Sequence, residues 1–519
     1  MTQSEPSFNL WTEPWITLER TDGSLAQTGI QETLLRAGDF RAIYDPSPLV
    51  IVGIHRLLMA VLQDALEPQR PDDLHRLWAE GHFPEAEVRA FGERYAPRFD
   101  LFSVDAPFLQ SADLPRTPSK RARTKTVTYL MPQIPAGSAV THYRHGVAED
   151  NAFCPTCAAR GLLIIPAFAT SGGAGIKPSI NGVPPIYVLP GGEALFESLA
   201  ASLVLPPYQP KAASTAEDAV WWRREPIVEL KAIVHEVSYL HSLTFPARRV
   251  RLHPELLHKS CSRCGQESKW GVRTMIYEMG ESRPKDAPFW FDPFAAYRIR
   301  DKMGPVPVRP LEGKVLWREF ASLFLPSPVD EGAKGRTQPP SVLYQLAEEG
   351  LCDDVDIYPF RCIGIRTDMR MKVFEWLDAG FDVPVSLLHD FEGSEEVRQA
   401  ISFAADCAGI ISSTFRKTFL SEDGRTEHHE TLRRRMVNAY WAALAAPFRD
   451  FVLAVAEPET REATRRAWVD RVVAEGKAAF KTYSEMTGSD AASLRKRVTG
   501  RRICDFRLNT KRKEQLHDE

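Results

Sequence analysis

No run of about eighteen consecutive apolar residues occurs in the sequence, so a membrane-spanning helix is not expected. The N-terminal stretch MTQSEPSFNLWTEPWITLERTDG has no basic region followed by an apolar run, which speaks against a signal peptide and for a cytoplasmic chain. A Walker motif, Gly-x-Ser-x-Gly and His-Glu-x-x-His are all missing, and no carboxylate pair stands out. These absences weigh against an enzyme, softly, because catalytic groups converge in space and not in sequence. Internal repeats and long low-complexity tracts are also absent. Cysteine is sparse, eight in all, and in a reducing compartment close pairs of it point to metal or redox chemistry before disulfides.

What is present bounds a large protein. At 519 residues the chain exceeds the ~250–300 residues at which single cores stop growing, so two or three domains are expected. Its 44% hydrophobic and 26% charged residues are ordinary for a globular protein. The net charge of −3 carries no information about nucleic acid, but its distribution does. RTPSKRARTK, from Arg116 to Lys125, has several cations and no acid. The stretch from Arg495 to Lys513 has nine cations and one acid. Each reads as a solvated face or as a basic face able to track phosphates.

The first part of the chain is rich in Pro and Gly, with short apolar runs such as GLLIIPAFAT and PPIYVLPGG that read as brief strands or buried segments. PLVIVGIHRLLMAVLQDAL, from Pro48, is the exception, with helical apolar spacing. Beyond about Val383 the texture changes to three long amphipathic stretches, and a last segment from Ser489 supplies a fourth. The expected fold is α+β: a large, irregular, loop-rich N-terminal domain over 1–380, then a C-terminal four-helix bundle over 381–519.

CPTC (Cys154, Cys157) and CSRC (Cys261, Cys264) are two Cys-x-x-Cys pairs with a long insert between them. Each pair can share one tetrahedral zinc, and together they fill its shell with four sulfurs. A redox motif would need a pair at a helix start in a βαβ context, which the sequence does not suggest. A zinc deaminase would need His-x-Glu and Pro-Cys-x-x-Cys, whereas here Pro155 lies inside the pair. A full sulfur shell leaves no open position, so the expected Zn2+ is structural. Cys352, Cys362, Cys407 and Cys504 read as small buried hydrophobes.

Two loops remain. In SGGAGIKPS, Gly172, Gly173 and Gly175 let backbone approach a ligand closely before Lys177, or simply make a flexible turn. THYRHG sets an aromatic among basic or titratable residues, as nucleic-acid loops do and as half-buried loops also do. LWTEPWITL, HYRH, CPTC, GGAGIKPSINGVPPIYV, CSRCGQES, FWFDPFAAYR and GIRTDMRMKVFEW follow in that order. In order and spacing, over nearly the whole chain, they resemble the CasA family, the large subunit of the type I-E CRISPR surveillance complex Cascade.

The resemblance implies a non-enzymatic role in antiviral defence. Its partners would be CRISPR RNA, the backbone, small and handle-binding subunits of Cascade, double-stranded target DNA, and a helicase-nuclease recruited after R-loop formation, with no membrane. The protein would read the protospacer-adjacent motif (PAM) mainly from the minor groove and help open the duplex. By resemblance the family's glycine loop falls on Gly172, Gly173, Ala174 and Gly175, running into Lys177. Ala174 stands at its central position. The wedge hairpin falls on Thr367, Asp368, Met369 and Arg370, with Met369 or Arg370 where the family carries glutamine. The lysine finger falls near Met279 to Lys285, on Lys285 with Arg283 in reserve. The loop toward the RNA handle and the neighbouring subunit falls on Thr141, His142, Tyr143, Arg144 and His145. The rival readings are a zinc-containing enzyme that processes nucleic acid and a purely structural scaffold.

Overall fold

The computed structural model describes residues 5–118, 124–132, 151–171, 175–211, 213, 219–300, 304–325, 336–352, 354–367, 373–420 and 426–517. The chain divides into two compact units. The first comprises Met1–Pro310, Lys334–Asp354 and Tyr358–Phe381; the second comprises Leu311–Ala333, Val355–Ile357 and Asp382–Glu519. The second unit thus takes two stretches from within the span 1–380.

The first unit mixes helices with small antiparallel sheets, as short apolar runs broken by Pro and Gly require. Near the N-terminus β1 (Ile16–Arg20) lies between β2 (Leu25–Thr28) and β3 (Phe40–Ile43). A second sheet has β7 (Trp270–Met279) between β4 (Thr124–Thr126) and β6 (Arg248–Leu256). The third has β11 (Ile357–Thr367) between β5 (Tyr187–Pro190) and β12 (Val373–Pro384). The fourth sets β8 (Tyr297–Arg300) between β9 (Gly304–Pro307) and β10 (Thr337–Gln338). Between the strands run α1 (Ile30–Leu35), α2 (Pro48–Leu66), α3 (Pro71–Glu80), α4 (Glu85–Tyr95), α5 (Pro155–Leu162), α6 (Ile164–Phe168), α7 (Leu195–Ala200) and α8 (Tyr239–Leu243).

The core of this unit is built on α2. Pro48 fills its first turn, where no N–H is needed, and apolar residues then cover every face. This helix is long and apolar enough to cross a membrane by length and composition alone, yet 89% of its apolar window is buried inside the protein, as in a core helix. It carries polar groups inward, and several find partners there. His55 Nε2 pairs with Ser202 Oγ at 2.8 Å, Arg56 with Asp292 at 3.0 Å, and the Trp222 indole donates to Asp64 at 2.6 Å. Gly53 lets α2 press on the α5–α6 elbow, since a Cβ there would stand 2.7 Å from the Leu163 carbonyl oxygen.

The second unit is helical. α9 (Phe320–Phe324) precedes five long elements: α11 (Phe391–Phe419), α12 (Thr426–Ala443), α13 (Ala445–Val455), α14 (Arg461–Ser484) and α15 (Ala491–Leu516). α10 (Ser341–Glu348) belongs to the first unit. Asp390 and Asp490 cap α11 and α15 through their side chains. Among the described residues the expected four-helix region therefore has five helices. The second amphipathic stretch is cut at Leu444 because Pro447 has no N–H for the Ala443 carbonyl and its ring crowds that oxygen. Trp317 closes the break. Its indole donates to the freed Trp441 carbonyl at 3.3 Å, and its rings stack on Phe448 at 4.5 Å.

Gly53→Ala sets a helix-propensity gain of about 1 kcal/mol against overpacking of about 1–3 kcal/mol on backbone that cannot move aside. The melting temperature of that variant should fall. Gly409→Ala on α11, with nothing within 4 Å of the new methyl, should hold or raise it. Equal effects in the two variants would contradict the packing at Gly53.

Candidate metal centre and the loops around it

Cys154 is the N-cap of α5 and Cys157 lies in its first turn. Cys261 and Cys264 lie in the loop joining β6 to β7. That loop turns tightly because Gly265 adopts φ +74°. Its N–H donates to the Cys261 carbonyl at 2.9 Å, and the Cys261 N–H donates to Gln266 at 2.9 Å. Two contacts carry the pairs together. Phe153 exchanges backbone bonds of 2.9 and 2.8 Å with Val272 on β7, and the Ser262 N–H donates to Ala152 at 2.8 Å.

All four sulfurs lie within 4.8 Å of one another, with Cys154 and Cys264 Sγ 3.7 Å apart. Four sulfurs about 2.3 Å from a tetrahedral ion are separated by roughly 3.8 Å, so the donor set fits such an ion. Three of the cysteines are buried and Cys264 is exposed. The Cys154 N–H donates to Cys261 Sγ at 3.3 Å and Arg263 donates to Cys157 Sγ at 3.7 Å, so N–H groups already face the sulfurs. The Asp45 carboxylate, fully buried, anchors Arg263 on one oxygen and Arg160 on the other at 3.2 Å. Among themselves the sulfurs ionise unequally. Contact with Cys154, then Cys261 and Cys264, drives the Cys157 thiol far up, while a hydrogen bond from Cys157 lowers Cys264 to about 6. A divalent cation at the centre would let all four ionise together. The other four cysteines are also buried.

The same hairpin organises a second feature at its opposite end. Arg248 opens β6 and pairs in register with Met279, the last residue of β7, whereas the cysteine loop follows Leu256 and precedes Trp270. Strands of this length place the two ends about 30 Å apart. Arg248 is 2% exposed. Its Nη2 donates to Thr170 O at 2.5 Å and its Nη1 to Lys177 O at 2.9 Å, one on each stem of the glycine stretch. Met279 Sδ accepts from the Lys177 N–H at 3.2 Å, and the Ser179 N–H donates to Ala169 at 2.8 Å, closing the base. The sequence reading did not single out Arg248. Its one signal was an arginine on the alternate face of β6 that Val250, Leu252 and Leu256 otherwise make apolar.

Gly172, Gly173 and Ala174 lie outside the described residues; Gly175 is described, at φ +84°. Lys177 is exposed, its ammonium 3.4 Å from Ser282 Oγ. Along the stretch after β7, Glu281 is buried between Arg224 and His241. Arg283 donates to Pro288 O at 2.8 Å and covers the Trp290 ring, whereas Lys285 is exposed with no ion pair among the described residues. Thr367 ends β11, while Asp368, Met369 and Arg370 lie outside the described residues, as do Thr141, His142, Tyr143, Arg144 and His145. The cysteine cluster and the stems of the glycine stretch therefore share one hairpin. The segment around Lys285 leaves that hairpin at its Arg248 end.

The basic stretches are mostly used internally. On α15, Arg501 pairs with Glu485, Lys511 with Asp406 and Arg512 with Asp470, while Arg507 bonds Ser413 and Thr414. Arg433 on α12 is held by Glu430 and by Ser412 at 2.5 Å. Arg434, Arg435, Arg495 and Arg502 remain exposed, without ion pairs among the described residues.

Two outcomes follow. Metal analysis of the purified chain should find about one bound divalent ion, lost in Cys261→Ser together with a fall of about 5 °C in melting temperature. Unchanged metal content would remove Cys261 from the centre. Arg248→Met leaves the Thr170 and Lys177 carbonyls without their donor and should cost about 2–4 kcal/mol. Proteolysis near 170–178 should speed up in that variant, and an unaltered cleavage rate would contradict the clamp.

Residues 9–479 match the family described as CRISPR-associated protein Cse1. The chain is 30% identical over 518 residues to the CRISPR-associated protein CasA/Cse1 of Thermus thermophilus, covering 95% of each protein. The crystal structure of Thermus thermophilus CasA superposes with a TM-score of 0.77 at 26% identity, covering 97% of this chain and 100% of that one. A chain of a solved CRISPR RNA-guided surveillance complex shares the fold, with a TM-score of 0.72 at 18% identity over 96% of this chain and 99% of that one. The extent of these matches, over both units, makes the chain a member of the CRISPR-associated Cse1 (CasA) family.

Proposed function

We propose that this chain is the Cascade subunit that reads the PAM on double-stranded DNA, promotes duplex opening and R-loop formation, and recruits a helicase-nuclease, without catalysing a reaction itself. The observation that carries the reading is the clamped loop. Arg248 holds the two stems of a glycine-rich stretch at one end of a rigid hairpin, with exposed Lys177 beside it and exposed Lys285 on the segment that follows. Support also comes from the shared fold with a chain of a CRISPR RNA-guided surveillance complex. Glycine carries no Cβ, so its backbone can approach the floor of a groove, and lysines add contacts to the flanking phosphates. Such a reader mostly separates A·T from G·C, which suits a short motif.

In this reading 1–380 is the recognition domain and 381–519 the helical domain. The four cysteines hold a structural Zn2+ that ties the start of α5 to the β6–β7 loop. Thr141 to His145 face the RNA handle or a neighbouring subunit. Thr367 to Arg370 form the wedge, where Met369 would enter between base steps and unstack them.

The test uses the whole complex reconstituted with this chain. Replacing Lys177, Lys285 and Met369 together by alanine should weaken binding to a PAM-bearing duplex by about 10–100-fold and make its salt dependence shallower by about two phosphate contacts. Affinity equal to that of the unaltered complex would favour a purely structural scaffold. Metal-dependent cleavage of DNA by the isolated chain would instead favour an enzyme.

A further inference from the structure

We propose that Lys231 forms, with Lys177, a phosphodiester-binding site at the foot of the glycine stretch; this deepens the DNA-recognition reading and rests on it. Lys231 sits in the left-handed region at φ 58°, a conformation unfavourable for a residue with a Cβ. The surroundings impose it. The Lys231 N–H donates to the Met279 carbonyl at 3.2 Å, the Ser282 N–H to Ala232 O at 2.9 Å, and the Val234 N–H to Ser282 O at 2.9 Å. Residues 231–234 are thereby tied as a strap alongside 279–282, the end of β7 and the segment beyond it. The left-handed turn at the head of the strap points the lysine toward the glycine stretch. Its Nζ lies 3.7 Å from where a Cβ on Gly175 would stand.

The local charge balance points the same way. Lys231 and Lys177 are both exposed, and among the described residues neither has a carboxylate within ion-pair distance. Glu281, the nearest acid along the 279–282 segment, is buried and committed to Arg224 and His241. The Lys231 ammonium stands beside Gly175 and the Lys177 ammonium at Ser282, whose N–H bonds Ala232, so the same strap carries two ammoniums from distant parts of the sequence. An anion bridging them relieves their repulsion. A lysine acts there as a point charge on a flexible stem, suited to a phosphodiester and not to a base edge. Lys231 would thus supply affinity without sequence preference.

The test compares Lys231→Asn, whose side chain tolerates the left-handed backbone, with Lys231→Arg, which keeps the charge. Each is placed in the reconstituted complex, and binding is followed against salt on a PAM-bearing duplex and on one with an altered motif. For Lys231→Asn the expected result is a loss of about 3–10-fold on both duplexes and a log–log salt slope shallower by about one, with an unchanged melting temperature; Lys231→Arg restores both. Wild-type affinity and slope in Lys231→Asn would overturn the proposal. A loss confined to one duplex would also overturn it, as would a loss that arginine does not rescue. Failure of the underlying reading shows separately, as wild-type complex binding duplex no better than complex lacking this chain.

Discussion

The guanidinium of Arg248 bonds one carbonyl on each side of a single loop, and the arrangement of the first unit's candidate ligand-facing segments depends on it. The side chain is buried without an ion pair among the described residues, so the Thr170, Lys177 and Ala247 carbonyls meet its charge, with the Tyr277 ring 5.9 Å away. Hydrogen bonds to a charged group contribute about 1.5–3 kcal/mol each, more than neutral ones, and here they offset the desolvation of a cation. Only a planar fork can span two stems at once; a lysine could satisfy one. Because β6 pairs with β7 at this very position, the clamp also fixes where the 279–285 segment departs.

The cysteine cluster works on the same parts from the other end. It joins the start of α5 to the β6–β7 loop, and α5 with α6 then runs toward the glycine stretch. A helix pair and a strand pair are thus pinned at both ends, by four sulfurs at one and by a guanidinium at the other. Either pin alone leaves a free end about which the pair can splay. The cysteine cluster stands about 30 Å along the hairpin from the glycine stretch, too far to touch a ligand held there.

The helical unit shows how little a count of basic residues says about a surface. Of the cations on α15, three are consumed by carboxylates on α11, α14 or the turn after α14, and a fourth by hydroxyls on α11. Those that remain exposed are spread over α12 and α15. The break at Leu444 also follows from a local rule, a proline inside a helical pattern, and is made tolerable by Trp317, supplied from outside the five helices.

Much of this was legible in the residues themselves. Two Cys-x-x-Cys pairs announce one four-sulfur centre, because ligand chemistry depends on residue type and short spacing. Long amphipathic stretches after Val383 announce helices, because a 3.6-residue period is local. The order of motifs from LWTEPWITL to GIRTDMRMKVFEW announced the family. What tertiary structure alone decided are the long-range pairings. Arg248 meets Thr170 and Lys177, Lys231 meets Gly175, and Trp317 meets Trp441, each across tens to more than a hundred residues. No local pattern encodes such pairs, since they arise when a shared core folds and brings together backbone groups that must find partners once water is excluded.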